Sequence, residues 1–292
     1  MNRSLAKIPW LAAACFVLVA GVPRSAFAHA DLLLMIDEVT SQISTQPTNA
    51  ELYLRRGELH RAHTNWDAAQ VDFDRASVLN PGLAIVDLAR GKAFLEAGWP
   101  LSARTALDLF LGRQPSHSEG LATRARVLAR LDQNLAAAED YTQALAHAVD
   151  SRPELYIERV QVLLAEGDAH LETALQGLDD GVKKIGPLVT LQLYAIDIEI
   201  KLKRFDAALA RLERVATQSP RKETWLERRG QILLLAGRDQ EAREAFRAAL
   251  TALNSLPDSR RRVPAMMDLE KRLRQALGSP GGGDKPGEKS GK

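Results

Sequence analysis

Residues 50–83 read AELYLRRGELHRAHTNWDAAQVDFDRASVLNPGL. Two helical patterns share this stretch. In the first, Leu52, Leu59 and Ala62 fall near one face, and Gly57 permits close approach of a neighbour. A break follows at Thr64-Asn65. The second pattern runs through Ala69, Phe73, Ala76 and Leu79 and stops at Asn80-Pro81, because proline cannot continue a helix. The pattern then returns with a period of 34: Gly57 and Gly91, Pro81 and Pro115, Ala69, Ala103 and Ala137, Phe73, Leu107 and Tyr141. After an offset of three residues the step resumes at Ala174, Ala208 and Ala242, and at Leu178, Leu212 and Phe246. The small residues let antiparallel helices approach, and the bulky ones fill the space against the next unit.

Composition agrees with an all-α reading. Of 292 residues, 46% are apolar and only 5% aromatic, which favours helices over a β-sandwich. Lys and Arg number 39 against 37 acidic residues. Residues 1–28 read as a secretory signal peptide: Arg3 and Lys7 first, an apolar run from Ile8 to Val22, then Ala26-Phe27-Ala28 as a cleavage motif. The run is shorter than the roughly 20 residues of a spanning helix. Cleavage would leave His29 first and no cysteine, since Cys15 is the only one. It would also remove three basic residues, leaving 36 against 37, so neither nucleic-acid attraction nor stable membrane insertion of the mature chain is expected. The expected location is exported, periplasmic or secreted, in a bacterium. Residues 278–292 hold only Gly, Pro, Ser and charged residues and read as a disordered tail.

The repeat resembles the tetratricopeptide repeat family. Unit one carries the resemblance through Tyr53, Gly57, Trp66, Ala69, Phe73, Ala76 and Pro81, with His60 where the family has Tyr. Unit two carries Gly91, Phe94, Gly98, Ala103, Leu107 and Pro115, with Phe110 in place of a small residue. Unit three offers Leu121, Ala125, Leu128, Ala137, Tyr141 and Ala144. Unit four is the most divergent, needing extra residues before it and in its turn. Units five and six offer Phe205, Ala208, Leu212 and Pro220, then Gly230, Gly237, Ala242, Phe246 and Ala249. The resemblance implies a right-handed superhelical solenoid of about six helix-turn-helix units, near 50–83, 84–117, 118–151, 152–188, 189–222 and 223–257. A helix within 29–49, capped by Asp31 and carrying Leu32, Leu33, Ile36, Val39 and Ile43, is expected to cover the first unit. Another within 258–277, opening at Pro264, is expected to cover the last.

The resemblance further implies that first helices line a concave groove that binds a protein or peptide. Its groove positions correspond here to Glu58, Arg61, Lys92, Leu95, Glu96, Arg126, Arg130, Gln161, Asp197, Lys201 and Gln231, with Leu88, Ile157, Leu193 and Glu227 among them. The chaperone-tail clamp of some relatives is not expected, because Glu58, Lys92 and Arg126 come without matching Asn residues. The function expected is a non-catalytic scaffold without a cofactor. Two alternatives stand beside it: an envelope-assembly or cofactor-maturation accessory, and a metal-binding protein using His29 or the His60/His63 pair. Adjacent Asp179 and Asp180 point about 100° apart on a helix and do not form a catalytic pair. No phosphate loop, nucleophile elbow or zinc-peptidase motif occurs in the sequence. Arg260-Arg261-Arg262 reads as a solvated connector.

Overall fold

The structure is a computed structural model that describes residues 24–150, 152–218 and 221–278. Residues 1–23 of the expected signal segment 1–28, and 279–292 of the expected tail 278–292, lie outside these residues. Every regular element described is helical, and the chain divides into two compact units at Ala89 and Arg90.

The first unit holds α1 (Arg24–Thr45), α2 (Ala50–Ala62), α3 (Trp66–Leu79) and the start of α4 (Ile85–Glu96). Asn49 and Asn65 cap α2 and α3, each accepting a backbone N–H with its side-chain oxygen. Phe73 is fully buried beside Gly57, where a Cβ would lie 2.6 Å from Phe73 Cε1. Glycine is therefore required by the approach of α3. On α1, Ile36, Val39 and Ile43 turn inward, whereas Leu33 is half exposed. The expected Asp31 cap is corrected: α1 begins at Arg24, so Asp31 lies inside it. Ala26, Ala28 and Ala30 are strong helix formers, and nothing between Arg24 and Asp31 breaks the helix.

The second unit continues with α5 (Pro100–Arg113), α6 (Ser118–Arg130), α7 (Asn134–His147), α8 (Pro153–Ala165), α9 (Leu171–Ile185), α10 (Val189–Lys201), α11 (Phe205–Ala216), α12 (Lys222–Leu235), α13 (Asp239–Asn254), the single turn α14 (Asp258–Arg261) and α15 (Pro264–Gly278). Odd and even helices pair into hairpins. Gly91 meets Leu107, and Gly230 meets Phe246, at the same seam as Gly57 and Phe73. The extra length of the fourth hairpin is taken up by a 3₁₀ turn at Asp168–His170. Met266, Leu269 and Leu273 of α15 close the core over Phe246 and Leu253, while Met267 stays exposed.

One backbone feature recurs with the repeat. Thr64, Gly98, Asp132, Lys203 and Gly237 each end a first helix with φ between 56° and 81°. This left-handed residue reverses the chain into the second helix. Glycine meets it without strain, but Thr64 carries a β-branched side chain there.

Candidate partner-binding surface

The structure places none of the eleven predicted groove residues in the core: all are exposed or half-buried. Glu58 and Arg61 lie on α2, in the first unit. The other nine lie on first helices of the second unit. Leu95, Arg126, Arg130 and Gln161 come together around one cavity of about 480 Å³, with Ala129, Tyr141, Glu158 and Val162 completing its walls. These residues come from α4, α6, α7 and α8, so the site exists only because successive first helices pack side by side.

Two expected groove residues need correction. Leu88 is 1% exposed and belongs to the core, because its turn of α4 points inward. Glu227 is also buried, and its carboxylate accepts from Arg272 of α15 at 2.7 and 3.0 Å. The C-terminal helix thus covers this end of the surface.

The charges on the surface are paired across neighbouring repeats. Arg126 donates to both oxygens of Glu158, 3.0 and 3.1 Å away. The hydroxyl of Tyr141 shares that carboxylate, and burial, followed by the Glu158 charge, raises its pKa. Lys92 Nζ lies 2.6 Å from Glu119. Its hydrogen bond holds the Glu119 carboxyl below the ordinary carboxylate range. Gln161 donates to the Tyr194 hydroxyl at 2.9 Å, and Arg228 joins Asp197 to Gln231. Lys92 and Arg126 are therefore parts of the scaffold as much as of its surface. Arg130 and Lys201 have no ion-pair partner among the described residues. Those two charges remain available to a ligand.

A second layer of pairs lies between first and second helices. Arg56 grips Asp72 at 2.7 and 2.8 Å, and Arg124 grips Asp140 at 2.7 and 2.8 Å. Both Asp residues directly precede the bulky seam residue. This signal was present in the sequence as Arg-Gly/Ala and Asp-Phe/Tyr dipeptides at the repeat spacing.

His60 packs 3.9 Å from Asp72, beside Arg56, and burial lowers its pKa. Among the described residues no group of three or more His, Cys, Asp or Glu is placed to hold a metal ion. Asp179 accepts from Arg211 and Asp180 from Gln176, so the adjacent carboxylates have separate structural partners. Arg261 and Arg262 both reach Asp258. No helix among the described residues is long and apolar enough to cross a membrane.

Consecutive antiparallel helix pairs, joined at small-to-bulky seams of constant spacing, define a helical-repeat protein. A family model described as tetratricopeptide repeat matches residues 195–257, so that stretch carries the tetratricopeptide-repeat pattern and the rest of the chain shares its helical-solenoid fold. Two solved structures share the fold at low identity. The C-terminal part of a repeat-containing protein from Cytophaga hutchinsonii superposes with TM-score 0.57 at 11% identity, covering 77% of this chain and 93% of that one. PilF of Pseudomonas aeruginosa gives 0.52 at 14% identity, covering 77% and 96%. No curated protein matches the sequence. The fold is one of protein–protein interaction scaffolds.

Proposed function

We propose that this chain is an exported, non-catalytic scaffold that binds a protein or peptide partner on the first-helix surface of its second unit. The observation that carries the reading is the cavity where Leu95, Arg126, Arg130 and Gln161 converge. Its walls combine apolar area with hydrogen-bonding groups fixed by inter-repeat pairs, the mixture that orients an extended chain. Arg130, and Lys201 further along, supply cationic contacts for an acidic or carboxamide-bearing segment. Export rests on the sequence of residues 1–28 alone.

The test uses the full-length chain in its native host. A photo-crosslinking residue at Gln161 is expected to trap a partner. Substituting Arg130→Glu and Lys201→Glu is expected to abolish that adduct while leaving the circular-dichroism melt unchanged. Trapping that is indifferent to these changes would remove the surface as the interface. Fractionation with mass spectrometry of the N-terminus tests export, which requires a chain beginning at His29 outside the cytoplasm.

A further inference from the structure

In the second unit, two positions of equivalent sequence register flank each junction between a second helix and the next first helix. Three residues after the bulky seam residue stand Phe110, Ala144, Gly181 and Val215. Near the start of the following helix they are matched by Gly120, Leu155, Leu191 and Trp225. The first three pairs combine one large residue with one small. Phe110, Leu155 and Leu191 are accordingly fully buried. A Cβ on Gly120 would lie 2.6 Å from Phe110 Cε1, so that junction has no spare room. The last pair combines β-branched valine with tryptophan, and Trp225 stays only half-buried.

A cavity of about 430 Å³ opens at this junction, between α11 and α12. Leu209, Leu212, Trp225 and Leu226 give it apolar walls, and Lys222, Arg229 and Glu213 stand on it as well. None of these is a predicted groove residue. Arg229 occupies the register of Arg56 and Arg124, but Ala245 replaces the Asp that those arginines grip. Neither Arg229 nor Lys222 makes an ion pair among the described residues. Glu213 is the one carboxylate on the cavity lining, and Glu241 stands within electrostatic reach of Arg229. The cavity's volume falls in the range of small-molecule sites.

We infer that this cavity binds a small amphiphilic monocarboxylate, with its apolar body against Trp225 and the leucines and its carboxylate between Arg229 and Lys222. Arg229 and Lys222, neither held in an ion pair among the described residues, can both turn to an entering carboxylate, and a guanidinium binds carboxylate through paired hydrogen bonds. The inference is independent of the partner-binding surface.

Calorimetric titration of the full chain with octanoate, below its micelle concentration, tests this. Saturable one-to-one binding is expected. Arg229→Gln is expected to weaken it about tenfold or more. Trp225→Leu removes the indole wall of the cavity, and is expected to abolish binding while a single cooperative melt and the far-ultraviolet circular dichroism are retained. Lost binding with a retained cooperative melt separates loss of the site from loss of the fold. An octyltrimethylammonium salt, of equal chain length and opposite charge, is expected not to bind. Equal binding of the cation, binding retained in Trp225→Leu, or no saturable heat up to about millimolar octanoate, a free energy near −4 kcal/mol, would overturn the inference.

Discussion

Arg211 offers the sharpest test of what holds the second unit together. It is 7% exposed, on α11, and its guanidinium joins three helices. Nε and Nη2 donate to Glu199 of α10 at 3.0 and 2.7 Å. Nη1 donates to Gln192 of α10 at 3.0 Å and to Asp179 of α9 at 2.9 Å. Glu199 and Gln192 are themselves 4% and 5% exposed. Arg211→Met keeps an unbranched side chain of adequate length but strands the Glu199 charge in the interior. Breaking a buried pair from one side costs about 3–5 kcal/mol. The double variant Arg211→Met with Glu199→Leu removes that stranded charge. The Gln192 oxygen is then left unmet, at about 1–3 kcal/mol, while the part-exposed Asp179 carboxylate, which also loses Arg211, can turn to water. Urea denaturation followed by far-ultraviolet circular dichroism measures both. The double variant is expected to recover most of the stability lost in the single one. A single variant within about 1 kcal/mol of the parent, or a double variant no better than the single, would refute the assignment of a buried, mutually dependent cluster.

Four further outcomes are expected. Phe73→Ala empties a fully buried position beside Gly57 and should cost about 3–5 kcal/mol in denaturant unfolding. Thr64→Gly relieves a β-branched residue at φ 60° and should stabilise by about 1 kcal/mol in the same assay. Gly177→Asp supplies, opposite Arg159, the carboxylate that Asp72 and Asp140 supply elsewhere. The new Cβ meets only the flexible guanidinium end, so a gain of about 1 kcal/mol is expected, read as a higher melting temperature. For His60, burial holds the pKa below 6.5, so the unfolded chain binds more protons on acidification. Stability should therefore fall as the pH drops below about 6.5, and His60→Gln should flatten that slope in melts across pH 5 to 8.

The hairpins were legible because their cause is local. A Gly or Ala beside a bulky residue, repeated every 34 positions, states where two helices must touch, and side-chain size alone enforces it. Unit four shows the same logic under strain: its additional residues appear as a 3₁₀ turn, and the seam recovers beyond it. The first helix was less legible, since Asp31 looks like a cap only if the residues before it are not helical.

The surface divides differently. That Arg126, Arg130 and Gln161 face outward followed from repeat position. That Arg126 is held by Glu158, whereas Arg130 has no ion-pair partner among the described residues, did not. The partner lies 32 residues away on the next hairpin, and reach between the two depends on helix spacing and side-chain rotamers. Leu88 and Glu227 left the predicted surface for the same kind of reason, through an inward helix turn and a covering α15. The sequence by itself thus determined the repeat, its seams and the helices that present a surface, because those follow from side-chain volume at fixed spacing. Tertiary structure decided which charges are neutralised and where a cavity remains, because both depend on distances between residues that only packing brings together.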